Sequence, residues 1–249
     1  MEQLVYTVSE SFNKAGRNAF CPGCMHSTAH KIICEVLDEM NLRGKCVIVL
    51  PVGCAVNSHE YFNTDMLGCL HGRAAATAVG LKHAQKDKLI ISYQGDGDAA
   101  SIGLAESFYA ANRGDPITVI MVNNQIYGMT GGQMSPCTLV GQKATTAIHG
   151  RNPAVVGYPV HVAEMLAALT ATSFVARYSL HDVKHILEAK KGIAKAFDIQ
   201  LNHNGYSFIE LLAACPTNWG IDPSQGPKWM VEKTIPEFPL GVFKSLKEV

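Results

Sequence analysis

Leu89-Ile90-Ile91-Ser92-Tyr93-Gln94-Gly95-Asp96-Gly97-Asp98 opens the stretch, running on to Gln133, around which the rest of the chain is organised. The apolar run Leu89 to Tyr93 reads as a buried strand. Ala99 to Arg113 follows, with Ile102, Ala105, Phe108 and Tyr109 at the spacing of one buried helix face. A second apolar run, Ile117 to Val122, ends in Asn123-Asn124. This is strand, turn, helix, strand, with a polar cluster after each strand. In a parallel sheet both clusters leave the same rim, at the carboxyl ends of the strands, where open α/β sheets bind ligands. The expected fold is α/β, a mainly parallel sheet with helices on both faces.

The residues at that rim suit a metal-bound diphosphate. Gly95 and Gly97 let the backbone turn sharply and approach a ligand with no Cβ in the way. The N–H groups of the next helix start would point at the same spot, which favours an anion. Asp96 and an asparagine side chain are hard oxygen donors, and Mg²⁺ takes six oxygens at roughly 2.1 Å, one or two carboxylates among them. Gly-Asp-Gly-Asp alone is also an ordinary surface turn. Its place after a strand, paired with Asn-Asn after the next one, argues for the ligand.

Gly95-Asp96-Gly97 followed by Asn123-Asn124 is similar to the signature of thiamine-diphosphate enzymes. The wording YQGDGDAASIGLAE and then VNNQIYGMTGGQMSP resembles the thiamine-diphosphate-binding beta subunit of 2-oxoacid:ferredoxin oxidoreductases, closest to the 2-oxoisovalerate and 2-oxoglutarate types. The likeness runs from CPGC at Cys21 to CPTNW at Cys215. It implies a thiamine-diphosphate-binding fold in which Asp96, the Asn124 side chain and the Ile126 carbonyl hold Mg²⁺. On this reading Gly53, Gly95, Asp96, Gly97, Asp98, Asn124, Ile126 and Thr130 surround the cofactor.

Composition bounds the rest. A chain of 249 residues makes one large α/β domain or two small ones; one domain is expected over 1–249, with an entry arm at 1–20 and an extended tail at 217–249. The chain is 47% hydrophobic and only 17% charged, less polar surface than a free-standing monomer carries, which points to a subunit with large buried contacts. A formal net charge of zero makes no electrostatic case for nucleic acid or a membrane surface. There is no run of 18 apolar residues, and MEQLVYTVSE is not a signal peptide, so the cytoplasm is expected. Eight cysteines in that compartment point to metal or catalysis rather than to disulfides.

Along the chain, Cys21-Pro22-Gly23-Cys24 precedes a helix from about His26 to Met40. Such a pair serves as a redox dithiol, a zinc half-site, an iron–sulfur half-site or two incidental core thiols. A strand at Cys46 to Leu50 ends in Pro51-Val52-Gly53-Cys54, which sets Cys54 on the ligand rim; residues 55–70 read as irregular. His71-Gly72-Arg73 opens a small-residue helix, AAATAVGLKHA. His71 and Arg73 either meet substrate and phosphate or cap and solvate that helix; the resemblance implies the active-site role. From Asn124 to Gly150 a glycine-rich segment without periodicity reads as an active-site cover, with Thr130, Gln133 and Thr138 as candidate contacts. Then come a helix at Val162 to Leu169 and a strand at Phe174 to Tyr178. A capping box at Ser179 to Asp182 starts a helix to about Ile199 with a solvated Lys190, Lys191 and Lys195 face. A last strand, Ser207 to Ala213, ends at Cys215. The tail carries prolines with Trp219, Trp229 and Phe238.

In a parallel sheet Cys54, Cys215, Asp96 and Asn124 share one rim. Four thiolates, Cys21, Cys24, Cys54 and Cys215, fit an iron–sulfur cubane or a structural zinc, and the resemblance implies a 4Fe-4S cluster. Cys34 and Cys46 fall at core positions, and Cys69 and Cys137 carry no assigned role. The resemblance further implies oxidative decarboxylation of a 2-oxoacid, a branched one such as 2-oxoisovalerate before 2-oxoglutarate or pyruvate. Electrons would go to ferredoxin and the acyl group to coenzyme A. It implies partners too: an alpha subunit that supplies the carboxylate activating thiamine, and gamma and ferredoxin-like delta subunits. No glutamate here is placed for that activation; Glu35, Glu60 and Glu106 are the ones to check. Two other readings stand beside this one. A non-redox thiamine-diphosphate decarboxylase subunit leaves the cysteines idle, and a zinc-stabilised interaction module leaves the diphosphate motif idle.

Overall fold

The computed structural model describes residues 7–17 and 19–246; part of the expected entry arm and the last three residues of the tail lie outside the described residues. In chain order the elements are α1 (His26–Glu39), β1 (Cys46–Leu50), β2 (Asp65–Gly68), α2 (Ala74–Ala84), β3 (Leu89–Gly95), α3 (Leu104–Arg113), β4 (Thr118–Asn123), β5 (Ile126–Tyr127), β6 (Gln133–Met134), α4 (Pro153–Val156), α5 (Val162–Ala167), β7 (Thr172–Ser179), α6 (Val183–Asn202), β8 (Tyr206–Leu212), α7 (Pro216–Trp219), α8 (Gly226–Trp229), α9 (Ile235–Glu237) and β9 (Gly241–Lys244).

A seven-stranded sheet runs in the order β2-β1-β3-β4-β8-β7-β9. All pairings are parallel except β7 with β9. The central strands are buried along their length, Leu89 to Tyr93 and Val119 to Val122 fully so. Unbroken apolar runs of this kind belong to a parallel sheet covered on both sides. Successive crossovers from β1 to β3 and β4 move one way along the sheet and the crossover from β7 to β8 moves the other way. Right-handed connections then put α2 and α3 on one face and α6 on the opposite one, where α1 packs on α6.

Several expectations need correction. Residues 55–70 are not wholly irregular: Asp65–Gly68 adds the edge strand β2. The tail is not simply extended. It makes short helical turns and ends in β9, which pairs with β7. The cap of α6 is Asp182, which accepts from the His185 N–H at 2.9 Å, so the helix starts at Val183, four residues after Ser179. Lys190 is not a solvated residue but joins α6 to α1 through Glu35 at 2.9 Å and Glu39 at 2.6 Å. The face of α3 is also turned. Gly103, Ser107, Ala110 and Ala111 are buried, while Ile102 and Tyr109 are exposed, because small side chains let α3 pack closely against α2 and the sheet.

A buried charge network crosses the sheet. Arg177 on β7 and Glu210 on β8 are both fully buried and paired at 2.8 Å. Arg177 also reaches Glu164 at 2.6 Å. Glu210 accepts from the Asn123 amide at 2.7 Å. Removing one partner of such a pair strands the other charge in a dry interior, at about 3–5 kcal/mol. Glu210→Ala should therefore lower the melting temperature by roughly 10 °C; a calorimetric scan that leaves it unmoved would show the network to be dispensable.

Candidate active site

The four neighbouring strands β1, β3, β4 and β8 run the same way, so Cys54, Asp96, Asn124 and Cys215 emerge beyond one rim. Helix α1 precedes β1 and returns antiparallel to it, which puts Cys21 and Cys24, just ahead of its first turn, at that rim as well. Two adjoining cavities open there. One is lined by Gly53, Cys54, His71, Gly95, Asp96, Gly97, Asp98, Asn124, Ile126 and Thr130, with His26 and Tyr127. The other collects Cys21, Cys24, Cys54 and Cys215 around about 210 Å³. Cys54, Asn124, Gly128 and Met129 line both.

Asp96 is 2% exposed and accepts a 2.5 Å hydrogen bond from Ser135 Oγ on the segment after β4. Burial pushes its carboxyl up to about 7, against the pull of the Ser135 bond. A carboxyl in that condition fits a cation, which would restore the charge that burial disfavours. The Asn124 side chain turns back onto the Ile126 N–H at 3.3 Å, so both residues proposed beside Asp96 belong to one tight turn. That turn is held by Gln125, left-handed at φ 59°, whose carbonyl accepts from Thr138 Oγ1 at 2.6 Å. Gly53 takes φ 97°, open only to glycine without strain. A Cβ on Gly95 would meet nothing, whereas one on Gly97 would lie 2.1 Å from the Tyr127 ring. The space beside Gly97 is thus used by Tyr127, whose hydroxyl donates to the Gly97 carbonyl at 3.1 Å.

Asp98 lines the same cavity as Asp96. Its carboxylate accepts from His71 Nδ1, from the Gly72 N–H at 2.5 Å and from Gln94 Nε2 at 2.5 Å. Arg73 does not line the cavity; it pairs with Glu106 on α3. Thr130 lines the cavity and bonds Gln133 at 2.5 Å. Glu35 is held by Lys190, Glu60 by His59 and Glu106 by Arg73. Asp96 and Asp98 are the carboxylates lining this cavity among the described residues. It encloses only about 70 Å³, against roughly 300–1,000 Å³ in sites that surround a drug-sized ligand, so it walls one side of such a ligand.

Around the second cavity, an ideal Cβ on Gly128 would lie 3.1 Å from the Cys54 sulfur and 3.8 Å from that of Cys215. Gly23, between Cys21 and Cys24, packs its open face against Pro216 and Pro223. Asn218 donates to Cys215 Sγ at 3.4 Å. Burial first, and then the neighbouring cysteines, push the Cys24 thiol up to about 12 and the Cys54 thiol up to about 11. Thiols so placed lose their protons to a bound metal rather than to water. No three of these sulfurs lie within 4.8 Å of one another among the described residues, whereas a single tetrahedral zinc with bonds of roughly 2.3 Å needs them about 3.8 Å apart. As placed, the four thiols do not form a ready-made site for a single tetrahedral zinc. Cys34 and Cys46 are buried in the core, and Cys137 is buried beneath the rim.

Sequence reasoning missed Ser135, Glu210, Tyr127 and His26. Arg177 and Glu210 did leave a signal, each a charge inside an otherwise apolar strand run. Ser135 left none, because its contact with Asp96 spans 39 residues.

Residues 51–211 match the family described as thiamine pyrophosphate enzyme, C-terminal TPP binding domain. The chain is 43% identical over 243 residues to ketoisovalerate oxidoreductase subunit VorA of Methanothermobacter thermautotrophicus, covering 96% of this chain and 51% of that protein. It is 36% identical over 203 residues to 2-oxoglutarate synthase subunit KorB of Methanocaldococcus jannaschii, covering 81% and 70%. It thus spans about half the length of the VorA relatives it matches. The fold is similar to a chain of the 2-oxoglutarate:ferredoxin oxidoreductase from Magnetococcus marinus, with a TM-score of 0.74 at 21% identity, covering 97% of this chain and 89% of that one.

Proposed function

We propose, from the premise that this chain belongs to the thiamine pyrophosphate enzyme family and within it to the 2-oxoacid:ferredoxin oxidoreductase subunits, that it forms one half of a site converting a 2-oxoacid and coenzyme A to acyl-CoA and CO₂. Asp96, the Asn124 side chain and the Ile126 carbonyl hold Mg²⁺ against the diphosphate, and Cys21, Cys24, Cys54 and Cys215 hold a 4Fe-4S cluster. When bound, thiamine diphosphate supplies the carbanion chemistry. This chain orients the diphosphate through the Asp96 and Asn124 turns, and its cysteines would hold the cluster through which electrons leave for ferredoxin. The observation that carries the reading is the shared wall: Cys54, Asn124, Gly128 and Met129 line both the carboxylate cavity and the thiol cavity. Electrons released at the first need cross only one layer of residues. A non-redox decarboxylase would leave that thiol cavity without a use.

The remaining half of the site comes from an alpha subunit, with gamma and ferredoxin-like delta subunits completing the complex. The one-sided cavity, the absence of a glutamate lining it among the described residues and the exposed apolar residues Leu70, Ile102, Tyr109 and Met129 support this. Among the described residues no helix is long and apolar enough to cross a membrane, and a ferredoxin-coupled reaction belongs in the cytoplasm. A branched 2-oxoacid is the favoured substrate, in line with the 43% identity to a ketoisovalerate oxidoreductase subunit. Iron and acid-labile sulfide analysis of anaerobically purified protein, with turnover of a panel of 2-oxoacids by the assembled complex, tests the reading. Stoichiometric zinc without sulfide would overturn it. The chain by itself, reconstituted with Mg²⁺, thiamine diphosphate, iron and sulfide, should not reduce a viologen dye with 2-oxoacid and coenzyme A. Robust turnover by a monomer would remove the half-site proposal.

A further inference from the structure

We propose that His71 is the proton-transfer group of the cofactor cavity and that Asp98 is its positioning residue, not a ligand of the diphosphate or the metal. The proposal rests on the 2-oxoacid reading given above and adds to it the group that handles the substrate's oxygen. The geometry is a buried carboxylate behind an imidazole at a cavity wall. Asp98 is 2% exposed, and one of its oxygens takes both His71 Nδ1 and the Gly72 N–H. The other takes Gln94 Nε2, whose own carbonyl accepts from Ser92 Oγ at 3.0 Å. Every identified partner of this carboxylate is therefore a donor on the protein side.

With Nδ1 committed to Asp98, the imidazole offers Nε2 as its exchangeable position, and His71 lines the cavity at 28% side-chain exposure. The backbone fixes the ring further. Gly72 stands at φ 75°, and a Cβ there would lie 2.6 Å from Ile102 Cγ2 and 2.8 Å from the Gly103 nitrogen. The His71 turn is thus seated directly on the turn that follows Asp98, and neither can shift alone. A carboxylate in this position fixes the ring's orientation and leaves Nε2 toward the cavity.

The step is a proton transfer. Attack on the 2-oxo carbon would push the carbonyl π pair onto oxygen, and His71 is placed to meet the charge that develops there. His71 Nε2–H supplies the proton, an O–H bond forms, the N–H bond breaks, and the imidazole is left neutral on Asp98. Return of the proton to Nε2 when that C–O bond becomes a carbonyl again, the two electrons of the oxidation having left toward ferredoxin as in the reading above, closes the balance.

The test is a double-mutant cycle in the assembled complex. Asp98→Asn keeps the shape and its carbonyl still accepts from Gly72; Gln94 accommodates the new amide by rotating its own end over end. Asp98→Asn and His71→Gln should each lower kcat by about 100-fold. Both should leave the thiamine diphosphate Kd in the presence of Mg²⁺ unchanged, and the double variant should be no slower than His71→Gln alone. In the isolated chain, a downfield imidazole N–H resonance assigned to His71 should move upfield in Asp98→Asn, because a neutral amide oxygen replaces the carboxylate at Nδ1. A raised cofactor Kd in Asp98→Asn, in either background, would return Asp98 to the diphosphate and overturn the proposal. So would additive losses of kcat. If wild-type complex binds no thiamine diphosphate, it is the functional reading that falls, and this outcome is separate from the other two.

Discussion

Asp96→Ala should abolish Mg²⁺-dependent binding of thiamine diphosphate. Asp96 is the one charged Mg²⁺ ligand proposed in this chain, and Asp98 cannot replace it because its oxygens are taken by His71, Gly72 and Gln94. Loss of one partner of a buried charge pair costs about 3–5 kcal/mol, on the order of 10³-fold in affinity. Titration calorimetry with Mg²⁺ and thiamine diphosphate measures it, and an unchanged Kd would remove the metal site from this reading. The same carboxyl gives a pH dependence. Burial raises it to about 7, so below that pH the cation must displace a proton. Wild-type Mg²⁺ affinity should fall about tenfold per pH unit below 7 and level off above it. The sign reverses for the metal-free fold. A carboxyl whose folded pKa is raised stabilises the protein at low pH, and that contribution is lost as the pH rises through 7, so added Mg²⁺ should protect most above neutrality.

Cys54→Ser is expected to separate decarboxylation from electron transfer. Serine keeps the volume and removes the thiolate from the wall common to both cavities, so circular dichroism should be unchanged. Iron and sulfide content should fall. Dye reduction by the complex should drop by at least the roughly 10–100-fold that loss of even an outer partner costs a metal site, while CO₂ release from the 2-oxoacid continues. A variant with full iron and normal dye reduction would show that Cys54 is not a ligand. The outcome bears on Cys21, Cys24 and Cys215 as well, because the thiols of Cys24 and Cys54 are each raised by other members of the set.

The sequence by itself determined strands β1, β3, β4, β7 and β8 and the rim, but not β2 or β9. Apolar runs such as Leu89 to Tyr93, broken only by the small Ser92, have one low-energy fate, the middle of a covered parallel sheet, and β1 and α2 begin and end where their patterns do. Because side chains following parallel strands must leave on one side, the company of Asp96, Asn124, Cys54 and Cys215 was legible from order alone. What only the tertiary structure decided are contacts between segments distant in the chain. Ile102 and Tyr109 have the spacing of a buried face, yet Gly103, Ser107, Ala110 and Ala111 are the residues buried. Close approach of α3 to α2 selects small side chains, and helical periodicity does not record which of two faces a neighbour will take. Asp98 sits one glycine from Asp96 and reads as its companion. The left-handed Gly72 brings His71 to it across 27 residues, and a carboxylate follows its nearest donors in space.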